Sequence, residues 1–157
     1  MAGSDGYTFT VRRTPTAMTT AVTMGQIKAG AAALDIIGIW VYQVTKTSSE
    51  LLSLQLLRKT AAATVTSFTP LKLDPGSAAA LAVGGTAATG ITATAEGTDG
   101  DILHEEVWNV LNGVWQYLPV PRGVARVPQA GIIALKLSTA PAASMSVGFH
   151  IDFVEYQ

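Results

Sequence analysis

The string "DILHEEVW", residues 101–108, is the most reactive-looking in the chain, with His104, Glu105 and Glu106 in succession. A zincin helix needs a second histidine four positions after the first, and Trp108 stands there instead. Read as a strand, the run alternates faces, so His104 and Glu106 share one side and could take a metal only with a third ligand such as His150. The same alternation sends Glu105 and Glu106 to opposite faces, so these two alone do not make a glycosidase pair. His150 and Asp152 share a strand face and suggest a Ser/His/Asp triad, but no GxSxG elbow accompanies them. Glu96, Asp99 and Asp101 surround the glycines of "EGTDGD" and could hold a calcium ion. The spacing is not that of an EF-hand, and a solvated acidic turn is the stronger reading. "GGTAATG" lacks the Lys-Ser/Thr that completes a phosphate loop. With two histidines and no cysteine, the chain is expected to be neither an enzyme nor a cofactor carrier.

The aromatic residues offer a second chemistry. Trp40 with Tyr42, and Trp115 with Tyr117, each fall two apart on a strand, so two ring pairs could line a sugar-binding face; Tyr7, Trp108 and Tyr156 add to the set. Large aromatics are also the usual fillers of a sandwich core or subunit contact, and that reading is preferred. Arg122 and Arg126, after "LPVP", are candidates to pair with acids on a neighbouring subunit. The stretch "MAGSDGYTFTVRRTPT" carries Tyr7, Phe9, Arg12 and Arg13 on a short alternating run. It suits either a partner-binding arm or a first edge strand.

These residues must be positioned by strands. "YTFTVR", "DIIGIWVYQV", "SSELLSLQLLRK", "GITATAE", "ILHEEVWNV", "GVWQYLP", "GVARVP", "GIIALKL" and "SMSVGFHIDFVEY" read as β, separated by turn signals such as "DPGS", "GTDGD", "LNG" and "TAPAAS". In the last strand Val147, Phe149, Ile151 and Phe153 face one way, His150 and Asp152 the other. Helix signals are scarce; the amphipathic windows are "MGQIKAGAAALD" and "SSELLSLQLLRK", the second reading better as a strand with a helix N-cap at residues 48–50 as its alternative. Between strands lies "SFTPLKLDPGSAAALAVGG", residues 67–85, where Pro70 and Pro75 deny ladder donors and stiffen the chain. It reads as a turn around Pro75–Gly76, then a short helical turn through the alanines, in a long crossover between two sheets. Many short strands in 157 residues point to one all-β domain, a jelly-roll-like antiparallel sandwich over 17–157 with an arm or edge strand at 1–16.

Composition limits the partners. Charged residues make up 13% of the chain, against roughly 25% in an ordinary soluble domain. A surface this poor in charge is weakly protected from association, so burial against other subunits or a larger assembly is expected. The net charge of −1 argues against nucleic acid, and no apolar run is long enough to cross a membrane as a helix. Charge is uneven: residues 1–73 carry seven Lys/Arg and three Asp/Glu, residues 74–157 three and eight. Such polarity helps like subunits meet.

From about Leu51 onward, about two-thirds of the chain, the order of motifs resembles small virion proteins of tailed bacteriophages. "LLRKTAAATVTSFTPLKLDPGSAAA" is similar to their strand, Thr/Ala-rich tip, "TP…LDP" connection and alanine cluster. The closing half matches in its "LNG" turn, "VP.AGI.AL" strand entry and final strand ending near an acid, here Glu155. The resemblance implies a capsid decoration (cement) protein: a jelly-roll or related sandwich, often trimeric, without catalytic residues. It would be made in the host cytoplasm and bound to the outer surface of the phage head, where it holds the major capsid protein's lattice together. The interface candidates are then Tyr7, Phe9, Arg12, Arg13, Trp115, Tyr117, Arg122 and Arg126. A lectin-like carbohydrate-binding module on a virion or tail is the alternative.

Overall fold

A computed structural model describes residues 6–157. Twelve strands form in chain order: β1 (Gly6–Met18), β2 (Val22–Lys28), β3 (Leu34–Gln43), β4 (Leu51–Ala61), β5 (Thr64–Ser67), β6 (Leu71–Lys72), β7 (Gly90–Ala95), β8 (Thr98–Asn109), β9 (Trp115–Tyr117), β10 (Ala125–Val127), β11 (Ile132–Leu137) and β12 (Met145–Tyr156). No helix occurs among the described residues. One sheet runs β10-β3-β12-β1-β6 with β9 also on β3; the other runs β5-β7-β2-β11-β4-β8. Every strand pair is antiparallel.

Stripped of β5, β6 and β7, the order is β9/β10-β3-β12-β1 over β2-β11-β4-β8. Apart from the β4–β8 hairpin and the β9/β10 pair, successive strands thus alternate between the sheets, and the chain ends with β12 between β1 and β3. That is the double Greek key of a jelly roll, as the turn spacing and strand count imply. The pleat explains the packing. Phe149, Ile151 and Phe153 of β12 face inward with Phe9 and Val11 of β1, against Leu52, Leu54 and Leu56 of β4 and Ile133, Leu135 and Leu137 of β11, in one continuous core. Each such side chain contributes about 1.5–3 kcal/mol through burial. The sheets meet closely at Gly25, where an added Cβ would stand 2.6 Å from Phe149 Cζ.

Two expectations change. The "MGQIK" window is strand, not helix, because β2 is sandwiched on both faces: Met24 and Ile27 point into the core. Gln26, on the other face, is fully enclosed. Its amide donates to Ala63 O and Ala88 O, at 3.0 and 2.7 Å, and its oxygen accepts from Ala63 N. The crossover forms its turn at Pro75–Gly76, with Ser77 N on Asp74 O at 3.1 Å, but the alanines after it stay irregular. Residues 6–16 of the region read as an arm or first edge strand lie in β1, paired with β12 from Gly6↔Tyr156 to Met18↔Met145 and with β6 at Phe9 and Thr10. Residues 1–5 lie outside the described residues.

Candidate interaction site on the β8–β9 flank

The sandwich has two lateral flanks. Strand β8 ends one sheet and β9 and β10 end the other on the same side. On the far side β1 and β6 stand beside β7, joined across the sheets by Arg13 Nη1 donating to Thr92 Oγ1 at 3.0 Å.

On the first flank the structure unites two motifs that are separate in sequence. The inward side chains of β8 overhang β9, so the His104 ring lies 6.0 Å from Trp115 and 5.1 Å from Tyr117. His104 Nε2 is 3.6 Å from Glu106 Oε2, which also accepts a hydrogen bond from Trp115 Nε1 at 3.1 Å. Trp108 Nε1 donates to Gly113 O. Both indoles are enclosed, Trp115 being only 5% exposed, and burial raises the pKa of the half-buried Tyr117 phenol. A shallow cleft of about 220 Å³ opens beside them, lined by Glu106, Trp108, Asn109, Asn112, Trp115 and Gln116.

The outer side of β8 is different. Strand β4 covers one edge of β8, and no strand among the described residues pairs with the other. Val107 is 60% exposed and Leu51, across the ladder, 65%. Glu105 accepts from Gln55 Nε2 and Ser53 Oγ, both at 2.8 Å, and these hydrogen bonds hold its carboxyl below the usual range. Beyond β8, Leu111, Val114, Leu118 and Val120 of the connections to β9 and β10 are also exposed. With Ile102, seven of the thirteen large exposed apolar side chains fall on this flank. Exposed apolar side chains concentrated in this way are characteristic of surfaces that meet another molecule.

The other sequence candidates are dispersed. Phe9 is in the core and Arg13 is 3% exposed, so neither presents a surface to a partner; Tyr7 is half-buried and Arg12 exposed. Arg122 is exposed in the turn after Val120. Arg126 is engaged within its own chain: its Nε donates to Asp35 Oδ1 at 2.9 Å, Tyr156 Oη donates to Asp35 Oδ2 at 2.8 Å, and the guanidinium sits 5.3 Å over the Tyr156 ring. The supposed metal partners are also apart. His150 faces the outside of the β3–β12 sheet, where it stacks on Trp40 at 4.5 Å, while His104 faces the inside of the sandwich. Trp40 and Tyr42 share that outer face, so strand β3 lies between them and the Trp115/Tyr117 pair.

The acidic loop has its own cations. Asp99 accepts from Lys59 Nζ through Oδ1 and from Lys136 Nζ through Oδ2, each at 2.5 Å. Lys59 also donates to Glu96 O at 2.6 Å, while the Glu96 carboxylate takes the N–H and hydroxyl of Thr23 at 2.7 Å each. Two ammonium groups thus pair with the carboxylate of Asp99, and Asp101 is exposed. Lys59 carried no signal in the sequence, since a lysine in a strand is ordinarily a solvated one.

No family model and no curated protein matches the chain. Two similar solved structures are the D431N mutant VP2 protein of infectious bursal disease virus in derived T=1 particles, at 10% identity and TM-score 0.26, and the infectious bursal disease virus Gx strain, at 13% and 0.21. They cover 97% and 96% of this chain, which spans 40% and 41% of theirs. Likeness at this level carries no functional argument.

Proposed function

We propose that this chain is a structural virion protein that binds the outer surface of a phage head as an oligomer and stabilises the capsid lattice. The observation that carries this reading is the β8–β9 flank: a long free strand edge accompanied by exposed apolar side chains. The charge-poor composition and the motif order from Leu51 onward support it. The role is mechanical and not catalytic. At about 25 cal/mol per Å², covering roughly 1,000 Å² of apolar surface gives a gross gain of order 25 kcal/mol, much of it consumed by association and ordering. Repetition over a lattice lets a modest affinity at each site suffice. A sugar-binding platform is disfavoured because Trp115, which it would need at the surface, is enclosed.

The test is light scattering of the purified protein, followed by co-sedimentation with expanded phage heads emptied of their own decoration. An oligomer, trimeric by expectation, that pellets with heads and raises their resistance to heat or chelator supports the reading. A monomer that ignores heads and is retarded on a polysaccharide gel overturns it.

A further inference from the structure

Among the described residues, the charges on β8 without a lysine or arginine partner are acidic and those at the β1–β6 edge are basic. Arg122 beyond β9 on the first flank and Asp74 after β6 on the second are exceptions. Lys46 pairs with Glu50, Lys59 and Lys136 with Asp99, and Arg126 with Asp35. On β8 this leaves Asp101, Glu105 and Glu106 with no lysine or arginine partner, beside exposed Ile102 and Val107. On the far flank it leaves Arg12 on β1 and Lys72 on β6, both exposed, beside exposed Leu71 and Leu73. Strand β6 spans only two residues of β1, so the outer edge of β1 beyond Thr10 has no paired strand, and Arg12, Thr14 and Thr16 are exposed along it.

We propose that the chain self-associates head to tail, the acidic apolar edge of β8 on one subunit seating against the basic apolar β1–β6 edge of a second copy. The inference rests on the oligomeric part of the reading above and specifies its geometry. A two-fold contact of β8 with its own copy sets Glu105 and Glu106 against the same carboxylates, and like charges across a strand pair are destabilising. The opposite flank supplies what β8 lacks: two cations and apolar side chains of matching character. Because the two surfaces lie on opposite sides of one sandwich, the contact is heterologous, and each added copy exposes a fresh β8 edge until the ring closes.

The chain has no cysteine, so introduced ones report contacts cleanly. One variant carries Val107→Cys and another Leu73→Cys. Mixed and oxidised, they should give disulfide-linked heterodimers, while each alone stays uncross-linked. Cross-linking of Val107→Cys chains to one another indicates a two-fold contact and overturns the proposal. Independently, Asp101→Lys with Glu105→Lys, or Arg12→Glu with Lys72→Glu, should raise the dissociation constant of the oligomer by about tenfold or more. All four changes in one chain should restore it, with circular dichroism confirming the fold of each variant. Folded double variants that assemble like the parent overturn the inference. If the parent oligomer shows this pattern yet ignores heads, the head-binding reading fails and the inference stands. If the parent binds heads as a monomer, the reverse holds.

Discussion

Glu155, 1% exposed near the end of β12, accepts the backbone N–H of Ala82 at 2.7 Å, with Leu81 N on its other oxygen at 2.8 Å. The carboxylate thereby ties the irregular crossover to the body of the sandwich. Two chain N–H groups that no strand could satisfy are capped by one side chain. Glu155→Gln keeps only one acceptor oxygen and strands a buried donor. The expected loss is about 1–3 kcal/mol in urea unfolding, with proteolysis beginning in residues 73–89.

The Lys59–Asp99–Lys136 cluster gives the fold a pH window. Burial works against ionisation of Asp99, but the hydrogen bonds from Lys136 and Lys59 outweigh it and hold its pKa below the usual value. Its contribution is therefore present above the unfolded pKa of about 3.9 and is lost as pH falls through the lower folded value. Lys136 is desolvated too, yet its bond to Asp99 raises it, so its contribution holds below about 10.4 and is lost as pH climbs through the higher folded value. In Asp99→Asn, thermal melts should show weaker dependence on pH at both ends.

Arg13 is buried with no carboxylate beside it. It donates to Val147 O at 2.8 Å and to Thr92 Oγ1, its Nε has no partner, and burial pulls its pKa down to about 10. An enclosed cation so poorly compensated adds little stability. Arg13→Met, which keeps the volume over the Phe149 ring, should be at least as stable as the parent. Arg13→Ala should lose about 2–3 kcal/mol through the cavity, read by denaturant unfolding.

Gly25→Ala tests the closeness of the sheets. The new methyl meets the end of the Phe149 ring at 2.6 Å, inside van der Waals contact. A loss of about 1–3 kcal/mol is expected in thermal melts, and Phe149→Leu in the same chain should recover part of it.

The pleat was legible in the sequence wherever one face is core and the other wet. Val147, Phe149, Ile151 and Phe153 are enclosed as their alternation predicts, with His150 and Asp152 on the opposite face. It misled where both faces are covered: "MGQIK" has no alternation because the Ala63 and Ala88 carbonyls cap Gln26 on the outside of β2. Leu56 and Leu57 are both buried although they point to opposite faces of β4, which keeps its register with β11 through both. At the candidate site, the composition led to the expectation of a covered surface but gave no place for it. The meeting of His104 and Glu106 with Trp115 depends on β8 and β9 ending different sheets on one side, a long-range arrangement no local pattern encodes.

The pairing of β1 with β12 joins Gly6 to Tyr156, so the first strand finds its neighbour only when the last is made. Until the ribosome has released residues 145–156, β1 and β3 lack the strand that lies between them, and the nascent chain carries two open ladders. Folding of this topology therefore waits for β12 and is slow, and nascent chains in a crowded polysome that still lack it would be exposed to mispairing with one another.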